Sequence, residues 1–103
     1  MMELRKKMES AIALSETTSS IILIVTFYTK AGCHLCDDAR ALLDEIADQT
    51  SYQLTEIDIR SDMDIFETYR YRIPVIVINE TTVVEGRITY DELADAFHQV
   101  IAK

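Results

Sequence analysis

Both cysteines of this 103-residue chain lie in one short segment, as Cys33 and Cys36 with the spacing Cys-x-x-Cys. The apolar, β-branched run 21–28 precedes the pair, and residues 35–46 carry apolar side chains at helical spacing. We therefore predict a strand, then a loop that holds the cysteines, then a helix. This junction constrains the fold, because a strand that is apolar throughout suits a mostly parallel sheet covered on both faces.

The predicted start of the helix gives the Cys33 thiol an electrostatic environment suited to reaction. The first N–H groups of a helix lack intrahelical acceptors, and the helix dipole adds partial positive charge there. Both effects favour the thiolate, which is the nucleophilic form of cysteine. Side chains three residues apart share one side of a helix at about 5–6 Å, so a local adjustment closes a disulfide. The pattern predicts dithiol–disulfide exchange in which Cys33 attacks and Cys36 resolves.

Two other roles for the cysteine pair stay open at this point. A structural zinc site needs four ligands, and the chain has neither a second Cys-x-x-Cys nor the histidine spacing of a zinc finger. A dimer would supply four thiolates for a shared metal or iron–sulfur cluster. The pair is also compatible with inert, buried cysteines. Redox exchange is favoured, and no metal ligand is assigned within one chain.

Composition bears mainly on partners and location. A chain of 103 residues is long enough to form one stable domain without structural disulfide bonds. Its net charge of −8 at pH 7 disfavours nucleic acid and anionic membranes as partners. No apolar run is long enough to span a bilayer, and residues 11–14 are too few for the apolar part of a signal peptide. We expect a cytoplasmic protein, in which Cys-x-x-Cys is more often catalytic than structural.

The chain is predicted to divide at about residue 20. In the N-terminal arm, residues 1–20, the spacing of a short amphipathic helix is shown by Leu4, Met8, Ala11 and Ile12. The polar stretch 15–20 then has the composition of a linker. Packing on the domain, dimerisation and disorder are all open for this arm. Residues 21–103 are predicted to form one domain.

The predicted order of elements in that domain is β-α-β-α-β-β-α. The second strand, 52–59, is mixed in polarity and is expected nearer the sheet edge. Pro74 stands at the start of the third strand, where the lack of a backbone N–H for the sheet hydrogen bonds costs least. Residues 82–85 are predicted to form the fourth strand, as the second arm of an antiparallel hairpin. Thr89 and Glu92 match the capping box of a final helix. This order predicts an α/β fold with a four-stranded mixed sheet and helices on both faces.

A short helix is expected between the second and third strands. Ser61 is the predicted N-cap. Met63, Phe66 and Tyr69 or Arg70 would then lie on the side that faces inward or sideways.

The order of elements, with Cys-x-x-Cys after the first strand and Ile73-Pro74-Val75 at the third, resembles the glutaredoxin branch of the thioredoxin fold. It is most similar to the small bacterial glutaredoxin-like proteins. The resemblance covers about residues 21–102, and segment 27–36 is its strongest part. It implies a thioredoxin-like fold and a disulfide reductase that serves electron transfer and cell redox homeostasis. By position, Cys33 resembles the nucleophile of the family and Cys36 its resolving thiol.

The resemblance also implies a substrate groove. Pro74 resembles the family's cis-proline beside the disulfide, where Ile73 and Pro74 present backbone groups to an extended thiol substrate. Lys30 resembles a lysine that many glutaredoxins place beside a glutathione carboxylate; an ordinary solvated lysine is the competing interpretation. The implied partners are a disulfide-bearing protein or a small thiol, with glutathione or thioredoxin reductase as candidate reductants.

Three arginines are predicted to form a basic rim near Pro74, namely Arg70, Arg72 and Arg87. In so acidic a chain, such a rim would recruit an anionic thiol or an acidic protein. Simple solvation of these side chains explains them equally well.

The sequence departs from the family at two places. His34 and Leu35 lie between the cysteines, where the family usually has a proline, so the reduction potential of the family cannot be assigned to this chain. After the fourth strand glutaredoxins usually show Gly-Gly and then an acidic residue near the glutathione amino group, but here Gly86 precedes Arg87. We therefore expect no bound cofactor, with glutathione as a weakly bound candidate co-substrate. The alternative is a non-enzymatic module of the same fold, such as a dimer that holds a metal or iron–sulfur cluster.

Overall fold

The element order observed in the computed structural model, which describes residues 22–102, is the predicted β-α-β-α-β-β-α. The strands are β1 (Ile24–Thr29), β2 (Gln53–Asp58), β3 (Val75–Ile78) and β4 (Thr82–Glu85). The helices are α1 (His34–Ala47), α2 (Met63–Tyr69) and α3 (Tyr90–Ile101), with a 3₁₀ turn, Ile59–Ser61, before α2. The predicted N-terminal arm, residues 1–20, lies outside the described residues, and the division at residue 20 stays a prediction.

The four strands form one mixed sheet in the order β2-β1-β3-β4. Strand β1 pairs in parallel with β2 and antiparallel with β3, and β3 pairs antiparallel with β4. The prediction of a mixed sheet is confirmed, and so is the edge position of β2. Strand β1, the most continuously apolar segment, occupies an inner position.

The core lies on one face of this sheet, between β1, β3 and two helices. Val25 and Phe27 of β1 pair with Ile78 and Ile76 of β3 on that face, and all four side chains are at most 1% exposed. Helix α1 contributes Cys36, Ala39, Leu43 and Ile46 to the same cluster, and α3 contributes Leu93, Ala96 and Phe97. These residues recur every three or four positions and therefore share one face of each helix.

Helix α2 lies against the opposite face of the sheet. Successive strand residues point to opposite faces, so Tyr28 points away from the core that holds Phe27. Tyr69, at the end of α2, stacks on Tyr28 with ring centroids 4.1 Å apart and an angle of 19° between the rings. Helices therefore lie on both faces, as predicted.

One expectation for α2 is wrong, and a second is confirmed only in part. Asp62, not Ser61, is the N-cap: its carboxylate accepts a hydrogen bond from the Ile65 N–H at 3.1 Å. The Ser61 hydroxyl instead donates to the Asp58 carbonyl at 2.6 Å, because Ser61 belongs to the preceding 3₁₀ turn. On the side predicted to face inward or sideways, Phe66 and Tyr69 are half-buried, whereas Met63 faces solvent, with 73% of its surface exposed. No residue of α2 is fully buried. A helix of seven residues has too few turns to develop an inner stripe.

The capping box predicted for α3 is confirmed. The Thr89 hydroxyl accepts from the Glu92 N–H at 3.1 Å, and the Glu92 carboxylate accepts from the Thr89 N–H at 3.0 Å. Two of the first orphan N–H groups of the helix are thereby satisfied. No helix in the part of the chain from residue 22 to residue 102 has the length and apolarity needed to cross a membrane.

Replacing Leu43 with Ala tests the assigned inner face of α1. Leu43 is fully buried, so the substitution leaves a cavity and should lower the free energy of unfolding by about 2–5 kcal/mol. Leu42→Ala is the matched control, because the same atoms are removed one position away, where the side chain is only partly buried. Urea denaturation of both variants measures the difference. Equal losses at the two positions would contradict this orientation of α1.

Candidate active site

Cys33 is the N-cap of α1, with extended backbone at φ −95° and ψ 107°. Its sulfur accepts a hydrogen bond from the Cys36 N–H at 3.1 Å. The two cysteines form a disulfide whose Cα atoms are 5.1 Å apart, which is within the usual range of about 4.4–6.8 Å. Because Cys33 precedes the first helical residue, its extended backbone supplies the local adjustment that an i, i+3 disulfide needs.

The two sulfur-bearing residues differ in burial. Cys36 is 2% exposed and belongs to the hydrophobic core, whereas Cys33 is half-buried beside the exposed residues Ala31 and Gly32. Gly32 has φ +83°, a conformation that glycine adopts without the steric cost of a Cβ atom. The loop therefore turns sharply and presents Cys33 rather than Cys36 to an incoming molecule. Within residues 22–102, no three His, Cys, Asp or Glu side chains are grouped to hold a metal ion.

Pro74 lies at the same edge of the sheet as the cysteine loop. Val75 pairs with Tyr28 near the end of β1, so Ile73 and Pro74 lie beside the residues that lead into the loop. The Ile73–Pro74 peptide bond is cis, as the resemblance implies, and Pro74 is buried. The Ile73 N–H donates to the Tyr69 carbonyl at 3.2 Å. A substrate strand that used this N–H would therefore have to replace that hydrogen bond.

Arg72 is held by a carboxylate of the same chain. Its Nε and Nη2 atoms donate to the two Glu85 oxygens at 3.0 and 2.9 Å. The guanidinium also lies 5.0 Å from the centre of the Tyr69 ring. These hydrogen bonds lower the pKa of Glu85 and raise the pKa of Arg72. An anionic substrate at the predicted rim would have to compete with Glu85 for Arg72.

The other two arginines of the predicted rim have different surroundings. The Arg70 guanidinium lies 4.8 Å from the ring centres of both Phe66 and Tyr71, and 3.8 Å from the Glu67 carboxylate. Arg87 is exposed in the segment between β4 and α3. The rim is therefore not a uniform cationic surface.

Lys30 lines a groove beside the cysteine loop together with three carboxylates that the sequence analysis did not assign to the site. They are Asp37 from α1 and Glu56 and Asp58 from β2. Hydrogen bonds from Arg60 lower the pKa of Asp58 to about 2, so this carboxylate is charged at neutral pH. Parallel strands end at the same edge of a sheet, and β2 pairs in parallel with β1. A prediction of this pairing would have placed the carboxylates of β2 near Lys30.

A model of the glutaredoxin-like domain (DUF836) matches residues 24–98, a range that holds both cysteines and Pro74. Among solved structures, a structural genomics target protein from X. campestris is similar, at 23% identity and a TM-score of 0.63 over 73% of this chain and 96% of that chain. A protein from Nitrosomonas europaea matches at 22% identity and a TM-score of 0.63, over 77% and 95% of the two chains. A mutant thioredoxin from Halobacterium salinarum matches at 20% and 0.61, over 75% and 73%. These structures confirm the thioredoxin-like fold.

The Arg72–Glu85 ion pair makes stability depend on pH in a predictable direction. The pKa of Glu85 is lowered from its usual 4.5, so the pair stabilises the folded state above that pH. The contribution is lost as pH falls through the depressed pKa. Glu85→Gln should therefore lower the free energy of unfolding slightly at pH 7, since both side chains are about two-fifths exposed and water screens the pair. The loss should become smaller as the pH falls below 4.5 and approach zero once Glu85 is protonated in the wild type.

Urea denaturation at pH 7 and pH 2 measures this difference. Glu80→Gln, in the exposed turn between β3 and β4, is the control and should leave the pH dependence unchanged. A Glu85→Gln defect of the same size at both pH values would show that the carboxylate charge does not cause it.

Proposed function

We propose, because this chain belongs to the glutaredoxin-like domain family, that it is a thiol–disulfide oxidoreductase that reduces protein or small-molecule disulfides with Cys33 and Cys36. The observation that carries the proposal is the arrangement of the pair: a half-buried sulfur at the N-cap of α1 and a second, buried sulfur one turn into the helix. The helix N-terminus and the Cys36 N–H both favour a thiolate at Cys33.

The exchange proceeds in two substitutions at sulfur. The Cys33 thiolate attacks one sulfur of the substrate disulfide, whose S–S bond breaks, and the other substrate sulfur leaves as a thiolate. The Cys36 thiolate then attacks the Cys33 sulfur of the mixed disulfide and releases the second substrate thiolate. Two electrons pass from the dithiol to the substrate, and the Cys33–Cys36 disulfide remains. A cellular thiol or a thioredoxin reductase returns the electrons, so we place the activity in the cytoplasm, where such reductants are available.

The charges around the site support protein or other small disulfides as substrates rather than glutathione. Lys30, the candidate partner for one glutathione carboxylate, lies in a groove with three carboxylates. Arg72, a candidate for the other, is already paired with Glu85. Arg87 opposes the glutathione ammonium unless Asp91 faces it. An unmatched charge in a partly desolvated groove costs more than an exposed ion pair returns.

Cysteine variants test the order of attack. Cys36→Ser should accumulate a mixed disulfide with insulin or with oxidised glutathione, because attack proceeds and resolution does not. Cys33→Ser should accumulate none, since the remaining sulfur is in the core. In the reduced wild type, iodoacetamide should label Cys33 first, as peptide mass spectrometry will show. Equal labelling of Cys33 and Cys36, or mixed disulfides formed by Cys33→Ser, would contradict the assignment of Cys33 as nucleophile and Cys36 as resolving thiol. A brown, iron-containing dimer without exchange activity would support the alternative of an iron–sulfur cluster.

Arg87→Asp should raise glutathione-dependent turnover, because it replaces a cation with the acidic group that a glutathione ammonium favours. The measurement is reduction of a glutathionylated peptide coupled to glutathione reductase. Arg87→Gln is the control: it removes the cation without supplying the acidic group, so its gain in turnover should be smaller. The electrostatic argument would be refuted if the wild type reduced the glutathionylated peptide efficiently and Arg87→Asp left that turnover unchanged or lowered it.

A further inference from the structure

The side of the sheet turned away from α1 and α3, here called the far face, carries apolar side chains on three adjacent strands. Val83 of β4 pairs with Val77 of β3, and Val77 pairs with Thr26 of β1. Ile24 lies two residues before Thr26 and therefore points the same way. Helix α2 contacts this face through Tyr69, which stacks on Tyr28 at the opposite end of β1.

The far face is much more exposed than the core face of the same strands. Ile24 is 45% exposed and Val83 is 48% exposed, whereas Val25, beside Ile24, is fully buried. Strand β1 has an apolar composition on both sides, which is typical of strands covered on both faces. Neighbouring exposed apolar side chains of this kind mark a surface that another element contacts.

The described part of the chain begins at the same end of β1 as Ile24. Ile22 is 60% exposed and lies two residues before Ile24. Twenty-one residues precede it, and among them Leu4, Met8 and Ile12 recur at helical spacing. A helix over residues 4–12 would be about 13.5 Å long at 1.5 Å per residue. The three strands that carry Ile24, Val77 and Val83 span about 10 Å at about 4.8 Å between neighbours, so a helix of this length covers them.

Tethering and charge both favour this segment over a separate molecule. The connection 13–21 extends at up to about 3.3–3.6 Å per residue, which is enough to cross the sheet. A short tether holds its segment at an effective concentration in the millimolar range, well above that of a second copy in the cell. Three of the ten Lys and Arg residues stand together as Arg5-Lys6-Lys7, so the segment is locally cationic while the whole chain has net charge −8. Opposite charge attracts it to the rest of the domain.

We propose that the far face is the docking site of residues 4–12 of the same chain, with Leu4, Met8 and Ile12 packed on Ile24, Val77 and Val83. This inference is independent of the thiol chemistry, because the far face contains neither cysteine.

Disulfide trapping tests the docking. In a Cys33→Ser/Cys36→Ala background, which places no hydroxyl in the core, Met8→Cys is combined with Val83→Cys or, separately, with Ile24→Cys; both target positions are exposed. Ser10→Cys is the control, since in the proposed helix position 10 would lie on the side opposite to position 8. Mild oxidation should close an intramolecular disulfide from position 8 about tenfold faster than from position 10, because only position 8 would face the sheet.

Non-reducing electrophoresis and intact mass separate the outcomes. A monomer with an internal disulfide from position 8 supports the docking. A disulfide-linked dimer would identify a second copy as the occupant and overturn the proposal. Equal rates from positions 8 and 10, or no internal disulfide with either target, would also overturn it.

Discussion

The burial of one side of β1 against β3 is the interaction on which the candidate active site depends. Val25 and Phe27 lie opposite Ile78 and Ile76 in the antiparallel register of these strands. Burying a side chain of this size contributes about 1.5–3 kcal/mol, whereas an exposed ion pair contributes about 1 kcal/mol or less. The apolar pairs therefore set the register. That register brings the end of β1, which leads to Cys33, to the same edge as the start of β3, which carries Pro74.

The polar groups around this edge mostly satisfy one another within the chain. Arg72 is paired with Glu85, and Lys30 shares its groove with carboxylates. Long-range attraction therefore gives a partner little selectivity at the site. In the proposed exchange, a substrate would meet the sulfur of Cys33 and the apolar surroundings of Ile73 and Pro74, and contact with them would depend on shape more than on charge.

Whether a feature of the fold or of the candidate site could be predicted from the sequence depends on how far apart in the sequence the interacting residues lie. The cysteine N-cap, the capping box at Thr89 and the inner faces of α1 and α3 follow from residues three or four apart, and all were predictable. The cap of α2 was missed because Ser61 and Asp62 are adjacent candidates, and the 3₁₀ turn that engages Ser61 is not encoded by a simple period. The pairing of Arg72 with Glu85 was also missed. These residues are thirteen apart and meet only because Val75 pairs with Glu85 across β3 and β4.

The place of Cys36 in the hydrophobic core couples the oxidation state of the pair to the folding of the whole domain. Folding and disulfide formation belong to one thermodynamic cycle. If the oxidised protein is more stable than the reduced protein, the disulfide must therefore form more favourably in the folded chain than in the unfolded chain, and by the same free energy. Cys36 packs in the same cluster as Ala39 and Leu43. Any substitution in that cluster that disturbs the reduced thiol more than the disulfide therefore makes the folded protein a weaker oxidant. Under the proposed function, the requirements of redox potential and of a stable core would thus act on the same residues of α1.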